Sequence, residues 1–99
     1  MAFVIIWEFR LRAEMTKQFE QAYGSGGDWV RLFRQDPAFL RTELIHDVLD
    51  ARRYLTLDFW ASEAAYEAFR ENRKDEYKNI DARCEQMTEA EREVGSGKI

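Results

Sequence analysis

The sequence predicts a single α+β domain in which a four-stranded antiparallel sheet carries its helices on one face. The chain has 99 residues, which is enough for one domain, so residues 1–99 are assigned to a single unit. Its segments follow the order strand, helices, strand, strand, helix, strand, and two of the strands are apolar on both sides. That order is the split β-α-β-β-α-β arrangement of a ferredoxin-like domain.

The composition argues against several functional classes. Acidic residues number 19 and basic residues 15, so a net charge of −4 argues against nucleic-acid binding, which needs a basic face, and against attraction to anionic lipid. The longest apolar run, residues 3–7, is too short to span a bilayer. Cys84 is the single cysteine and cannot form an internal disulfide. With no signal-peptide pattern at the N-terminus, we expect a cytoplasmic protein with no nucleic-acid or membrane partner.

The first third of the chain predicts a strand followed by two helices. Residues 2–11 alternate as a strand, and the first half of that strand is apolar on both faces, as in a central strand covered on both sides. Residues 14–23 carry apolar side chains at helical spacing. The glycine-rich residues 24–27 lack a preceding strand and a following Gly-Lys-Ser/Thr, so they are interpreted as a turn rather than a phosphate-binding loop. Asp28 is expected to cap a short helix that Pro37 ends.

The middle of the chain predicts a pair of strands, residues 39–47 and 53–60. In the second strand, alternation places Leu40, Thr42, Leu44 and His46 on one face. In the third strand, one face is plain hydrocarbon, formed by Leu55, Leu57 and Phe59. The other face mixes aromatic rings with a hydroxyl and a carboxyl, which is the composition of a pocket wall, and consists of Tyr54, Thr56, Asp58 and Trp60.

The last part of the chain predicts a long helical region and a fourth strand. Ser62 is expected to cap the helix, whose apolar stripe runs over residues 66–87. Arg73 interrupts that stripe, and a helix break near Asn72 is favoured because an unpaired buried arginine is rare. Residues 88–99 fit either a polar strand or a helix opened by a capping box. We choose the strand because the sheet needs a fourth member.

The sheet is predicted to have one apolar face that its own helices do not cover. Helices on one side shield one face only, yet the first and third strands are apolar on both. Left in water, the uncovered set would form a larger patch than monomers usually expose, and burial contributes about 25 cal/mol per Å². We therefore expect a homodimer that packs two helix-free sheet faces together. The apolar residues on the two faces are Val4, Ile6, Leu55, Leu57 and Phe59 on one, and Phe3, Ile5, Trp7 and Trp60 on the other.

Over nearly its whole length the sequence resembles the antibiotic biosynthesis monooxygenase domains of the dimeric α+β barrel superfamily. The resemblance rests on several short segments: the opening Phe-Val-Ile-Ile-Trp-Glu-Phe strand, Gly27-Asp-Trp-Val-Arg-Leu-Phe-Arg34, Pro37-Ala-Phe-Leu, Arg53-Tyr-Leu-Thr-Leu-Asp-Phe-Trp60, Ala65-Tyr-Glu-Ala-Phe-Arg70, and Tyr77, Asp81, Cys84 and Thr88.

The resemblance implies oxidation without a metal or flavin. In such enzymes an electron-rich phenol or anthrone is deprotonated, the carbanion passes an electron to O₂, and a peroxide intermediate collapses to a quinone. The family tryptophan at the end of the third strand matches Trp60, and its polar partner, often asparagine, falls on Thr56. Haem-degrading relatives use an asparagine near Trp7 and a histidine on the following helix, which here has none. Conventional haem ligation is therefore not expected, and we predict no cofactor.

Two residues are candidates for a catalytic base. Asp58 lies mid-strand among aromatic neighbours, where desolvation would raise its pKa as a base for phenol-like substrates requires. The alternative is a carboxylate that faces water or pairs with Arg73 or Arg41. His46 is the second candidate, and its alternative is a strand-end histidine in solvent.

The remaining candidates would bind substrate. Thr56, together with Tyr54, is expected to hold a developing oxyanion, while two tryptophans sandwich the ring. Cys84 has no cationic neighbour on its helix face, which favours a structural thiol, and no spacing of His, Cys or carboxylates suggests a metal site. The predicted substrate-binding residues are Trp60, Trp7, Tyr54, Arg73 and Tyr77.

The sequence thus predicts a cofactor-independent monooxygenase acting on a small oxidisable aromatic, such as a phenol, anthrone or quinol. The alternative is a non-catalytic dimeric module, or a stress-related protein, that binds a small apolar ligand and needs the same aromatic residues but no titrating group. A third possibility is an isomerase or decarboxylase, which would need a polar pocket that stabilises an enolate.

Overall fold

The computed structural model describes residues 1–99, which form four strands and four α-helices. The elements are β1 (Phe3–Leu11), α1 (Thr16–Tyr23), α2 (Asp28–Phe33), β2 (Phe39–His46), β3 (Arg53–Trp60), α3 (Glu63–Asn72), α4 (Lys74–Cys84) and β4 (Thr88–Lys98), with a short 3₁₀ turn at Glu85–Met87. The strands make one antiparallel sheet in the order β2-β3-β1-β4. The predicted ferredoxin-like fold and its fourth strand are therefore confirmed.

The central position of β1 explains why this strand is apolar on both sides. It hydrogen-bonds to β3 along one edge and to β4 along the other. Phe3, Ile5, Phe9 and Leu11 point under the helices and are buried, whereas Val4 and Ile6 lie on the opposite face and stay partly exposed. All four α-helices contribute buried side chains to the structure. No helix is long and apolar enough to cross a membrane.

The helix boundaries follow local hydrogen bonding. Ser62 caps α3 as predicted, because its side chain accepts a hydrogen bond from the backbone N–H of Ala65 at 3.1 Å. The predicted helix break is also present, with Arg73 in a non-helical conformation (φ −117°, ψ 26°) between α3 and α4. The cap predicted at Asp28 is wrong: Gly27 is the N-cap, and the Asp28 side chain pairs instead with Arg31.

A β-bulge in β2 corrects the predicted faces of that strand. Phe39 pairs with Trp60 and Arg41 pairs with Phe59, so the extra residue, Leu40, has no partner in the register. Simple alternation placed Leu40 on the same face as Thr42. The bulge instead turns Phe39 toward the helix-side core, where it packs, and leaves Leu40 50% exposed.

The turn between α1 and α2 supplies a test of the fold. A Cβ added at Gly27 would lie 2.3 Å from the carbonyl oxygen of Ala22 and 2.4 Å from that of Gln21, and neither backbone atom can move freely. We expect Gly27→Ala to lower the free energy of unfolding by about 1–3 kcal/mol, a typical cost of overpacking. Gly26→Ala is the matched control, since nothing lies within 4 Å of its added Cβ. Urea denaturation of both variants measures the difference, and equal stability would contradict this account of the turn.

Candidate functional site

A cavity of about 200 Å³ opens on the helix side of the sheet. Its aromatic walls are Trp7, Phe9, Tyr23, Trp29, Phe33 and Tyr77, and its polar residues are Thr56, Asp58, Arg70, Asp81 and Glu91. A wider depression of about 880 Å³ beside the α1–α2 turn is more open, and only three of its twelve lining residues are hydrophobic. The smaller cavity combines aromatic walls with a few polar groups, which is the composition of a binding site, so it is the candidate functional site.

Asp58 lies in this cavity with most of its surface removed from water. The residue is only 7% exposed, because strand alternation turns its side chain under the helices. Its Oδ1 accepts a hydrogen bond from the Thr42 hydroxyl at 2.7 Å, from the neighbouring edge strand β2. Burial raises the pKa of Asp58 to about 6, while the Thr42 hydrogen bond lowers it. A carboxyl with this pKa is a stronger base than an ordinary aspartate and is still mostly ionised at neutral pH.

Neither of the arginines considered as partners neutralises Asp58. Arg41 lies with its guanidinium 3.9 Å from the ring centroid of Phe59 and pairs with Glu43 at 2.9 Å. Arg73 bonds to the side chains of Gln35 and Glu76. Asp58 makes no salt bridge in the structure and is buried. It therefore matches the predicted desolvated carboxyl, and not the alternative of a carboxylate that faces water or pairs with an arginine.

Arg70 occupies the place at the cavity that sequence reasoning gave to Arg73. Its guanidinium lies 5.0 Å from the ring centroid of Tyr77 and 5.7 Å from that of Tyr66. The positive charge of Arg70 lowers the pKa values of Tyr66, Tyr77 and Asp81, which places the guanidinium near all three. The helix break at Arg73 explains the difference, because it turns the Arg73 side chain toward Gln35, in the turn after α2, instead of toward the cavity.

Two further carboxyl groups line the cavity beside Arg70. Asp81 and Glu91 are exposed when the whole residue is considered. Their carboxyl groups nevertheless lose part of their hydration, and this desolvation is the main cause that raises the pKa of each. The negative charge of Glu85 also raises both pKa values, and the charge of Arg70 lowers that of Asp81. Asp81, Glu91 and Arg70 thus make a charged rim around an aromatic interior.

Trp60 does not line the cavity. It is fully buried, and its ring centroid lies 4.9 Å from that of Phe69, 5.3 Å from that of Phe39 and 5.5 Å from that of Phe33. Phe33 is shared between this cluster and the cavity wall. Trp60 therefore supports the wall from behind, whereas Trp7 belongs to the wall itself.

His46 and Tyr54 lie together at the other end of the sheet face. Their rings stack with centroids 4.1 Å apart, and the Tyr54 hydroxyl donates a hydrogen bond to Glu20. The His46 Nε2 lies 2.8 Å from the carbonyl oxygen of Ala51. Neither residue lines the cavity, so the structure brings Asp58, Thr56, Trp7 and Tyr77 together and leaves His46, Tyr54, Trp60 and Arg73 outside.

Sequence reasoning missed seven cavity residues: Phe9, Tyr23, Trp29, Phe33, Arg70, Asp81 and Glu91. Helical spacing held part of the signal, since Arg70 lies four residues after Tyr66 and Asp81 four residues after Tyr77. The chain shows no cluster of three or more His, Cys, Asp or Glu side chains that could hold a metal ion. Cys84 is buried, and burial raises the pKa of its thiol.

Comparison with known proteins gives one family and a consistent fold. The family described as "Antibiotic biosynthesis monooxygenase" matches residues 2–93. The chain is similar in structure to SnoaB, a cofactor-independent oxygenase from Streptomyces nogalater, with a TM-score of 0.74 and 13% identity over 99% of this chain and 92% of that one. It is also similar to a conserved protein from Methanosarcina mazei Go1, with a TM-score of 0.79 and 11% identity over 99% and 92%. At these identities the similarity shows a shared fold. No curated protein sequence matches the chain.

The buried carboxyl of Asp58 predicts an unusual dependence of stability on pH. The folded protein holds this proton more tightly than the unfolded chain, so between about pH 4 and pH 6 the free energy of unfolding should fall as pH rises. Asp58→Asn removes the charge, and we expect it to stabilise the protein by about 2–3 kcal/mol at pH 8 but much less at pH 4.

Urea denaturation of both proteins at the two pH values measures this effect. Asp47→Asn is a control of opposite sign, because backbone N–H groups and Arg53 lower the pKa of Asp47. That variant should lose stability at pH 8. An Asp58→Asn protein that is no more stable than the wild type at pH 8 would show that Asp58 is not a desolvated carboxylate.

Proposed function

This chain belongs to the antibiotic biosynthesis monooxygenase family, and from that premise we propose that it oxidises a small hydroxylated aromatic with O₂ and without a cofactor. The observation that carries the proposal is the Asp58 carboxyl, which is buried, has no cationic partner and lines an aromatic cavity. We assign to Asp58 the role of general base.

The proposed reaction begins when the Asp58 carboxylate takes a proton from the bound substrate. The substrate anion then gives one electron to O₂, and the radical pair combines to form a carbon–oxygen bond and a peroxide. The peroxide takes up a proton and loses water as a new carbonyl forms. In total the substrate loses two hydrogens and gains one oxygen atom, and the second oxygen atom of O₂ leaves as water. The four electrons that reduce O₂ all come from the substrate.

Other cavity residues support that chemistry. Trp7 and Trp29 provide aromatic walls that exclude water, which strengthens electrostatic interactions inside. Thr56 lies on the same strand face as Asp58 and offers a hydroxyl donor. Arg70 supplies positive charge at the rim, and this charge favours movement of negative charge from Asp58 to the substrate oxygen during proton transfer.

The burial of Asp58 favours catalysis over simple binding of an apolar ligand. A binding module needs no titrating group, and we would then expect an exposed or salt-bridged aspartate. Asp58 is neither of these, and retaining a desolvated carboxylate costs folding free energy. Such groups cluster at sites where their altered pKa serves the reaction.

We also propose that the working form is a homodimer joined through the helix-free sheet face. On that face Val4, Ile6, Leu55 and Leu57 are partly exposed, and Ile45 is 43% exposed. Ion pairs lie beside this apolar centre, joining Glu8 to Arg53 and to Arg92, each at 2.6 Å. An apolar centre with a charged margin is the usual anatomy of a protein interface. A twofold-related copy offers the same patch and would cover it.

The dimer has a direct test at the centre of the patch. We expect the wild-type protein to sediment as a dimer at micromolar concentration, and Leu57→Arg to shift it toward monomer because a charge would be buried there. Val48→Arg is the matched control, since Val48 is 96% exposed at a loop tip. A wild-type monomer, or equal dissociation of both variants, would argue against this interface.

The assignment of Asp58 is tested by oxygen uptake in chelator-treated buffer with a panel of anthrones and quinols. Asp58→Asn should lower kcat about 10²- to 10⁴-fold, the usual contribution of a general base. The wild-type rate should fall as pH drops through about 6, where Asp58 becomes protonated. His46→Ala should keep its activity, because His46 lies outside the cavity. Full activity in Asp58→Asn, or no uptake with any substrate, would count against the proposal.

A further inference from the structure

The cavity carries more negative charge than its single arginine neutralises. Three carboxyl groups, those of Asp58, Asp81 and Glu91, line it together with the one guanidinium of Arg70. The charge of Arg70 lowers the pKa of Asp81, whereas no positive charge lowers the pKa of Asp58 or of Glu91. Desolvation and the negative charges of Asp81 and Glu85 instead raise the pKa of Glu91. The negative charge on the Glu91 side of the cavity is therefore uncompensated.

The Asp58 carboxylate keeps one oxygen open to the cavity. Its Oδ1 accepts the hydrogen bond from Thr42 at 2.7 Å, while its Oδ2 accepts no hydrogen bond and joins no salt bridge. Oδ2 is not one of the fully buried atoms without a partner, so it retains accessible surface although the residue is only 7% exposed. A desolvated carboxylate with an accessible, unpaired oxygen favours a positively charged ligand, because pairing offsets the cost of burying the charge.

Trp7 lies between these carboxyl groups on the sheet. It pairs with Thr56 on β3 and with Glu93 on β4. Asp58 is therefore its diagonal neighbour on one side, and Glu91 is its diagonal neighbour on the other. Diagonal neighbours on one face of a strand pair lie about 7–8 Å apart, within reach of long and aromatic side chains. The register thus places an indole ring between carboxylates from both adjacent strands.

The aromatic core does not use the face of the Trp7 ring. Trp29 and Phe33 contact each other, and the edge-on contact of Trp29 with Tyr77 joins a third wall ring to them. Arg70 lies 5.0 Å from the ring centroid of Tyr77. Trp7 makes none of these ring contacts, and no guanidinium of the protein lies over it. Tryptophan is the side chain that attracts cations most strongly through its ring face.

The lining suits an organic cation better than a metal ion. Calcium and magnesium ions take six or more oxygen ligands, and the chain has no cluster of three or more side chains that could hold a metal. An ammonium group instead binds to aromatic faces, and nearby carboxylates add attraction at longer range. Pockets for drug-sized ligands commonly measure about 300–1,000 Å³. This cavity measures about 200 Å³, so the cation must be small.

We propose that the cavity is a binding site for a small organic ammonium ion, whose positive charge lies on the Trp7 ring between the carboxyl groups of Asp58 and Glu91. The inference goes beyond the proposed oxidation and does not depend on it, because charge and an aromatic face hold the ligand and no proton transfer is needed. The cavity should therefore prefer a cation to neutral or anionic molecules of the same shape.

Calorimetric titration with three probes of similar shape tests the inference. The probes are choline, the neutral alcohol in which a carbon atom replaces the choline nitrogen, and the carboxylate that carries the same tert-butyl group, at a pH well above the pKa of Asp58. We expect choline to bind about tenfold more tightly than the alcohol, because only choline gains the interaction with the ring and the carboxylates. The carboxylate should bind most weakly. Equal binding of choline and the alcohol, tighter binding of the carboxylate, or no binding of choline would overturn the proposal.

Three variants locate the bound cation. Trp7→Leu removes the aromatic face but keeps an apolar side chain, so the affinity for choline should fall about threefold to thirtyfold. Glu91→Gln should lower it about threefold and leave binding of the neutral alcohol unchanged. Glu89→Gln is the matched control, because it removes the same charge from the same strand at a residue that pairs with Arg52 and does not line the cavity. Equal loss in both glutamate variants would show that overall charge, and not this cavity, attracts choline.

The design separates this inference from the proposed reaction. The probe series decides even if Trp7→Leu fails to fold, and choline has no aromatic ring to oxidise. Preferred binding of choline without oxygen uptake by any quinol would support the cation site and contradict the monooxygenase assignment. Oxygen uptake together with equal binding of choline and its neutral analogue would do the reverse.

Discussion

The candidate site depends on one carboxyl group being held under the helices without a counter-charge. Alternation in β3 turns Asp58 to the same side as Thr56 and Trp60, and no other register would bury the strand's aromatic face. Desolvating a carboxylate is expensive, and one hydrogen bond from Thr42 offsets only part of that cost. The free energy must come from elsewhere in the fold. It comes from the aromatic core, whose contacts surround the cavity on the helix side.

That aromatic core divides into a wall and a support. Trp7 and Trp29 line the cavity. Trp60 does not line it and packs instead against Phe33, which does. Close packing of large rings leaves few alternative positions, so the wall residues are fixed before any ligand arrives. Fixed walls are what a cofactor-free site needs, because its contribution to the rate comes from preorganised electrostatics and excluded water.

Strand alternation predicted which side chains share a face, and it could not predict where along that face a cavity would form. It correctly grouped Asp58 with Thr56, and it also grouped both with Tyr54. Residues 54 and 58 are four positions apart, or about 13 Å along a strand, so His46, which pairs with Tyr54, is too far from Asp58 to share its work. The bulge at Leu40 and the orientation of the Arg73 side chain depend on tertiary contacts. The spacing of apolar residues along the sequence gives no information about such contacts. Helical spacing does place Arg70 on the same helix face as Tyr66, but the cavity that Arg70 lines is formed by tertiary contacts.

The pKa of Asp58 also explains why a buried carboxyl that accepts one hydrogen bond suits this site better than a buried carboxyl that accepts none. An ordinary aspartate is ionised at neutral pH but is a weak base, whereas a carboxyl with a much higher pKa would already hold its proton. Burial alone raises the pKa of Asp58, and the hydrogen bond from the Thr42 hydroxyl opposes that rise, leaving a pKa of about 6. At that value the group is mostly ionised at neutral pH, yet it binds a proton more tightly than an ordinary aspartate does, because protonation removes a charge from a poorly solvated place. Thr42 on the edge strand β2 thus contributes to the chemistry, because its hydrogen bond sets how strong a base Asp58 on β3 is.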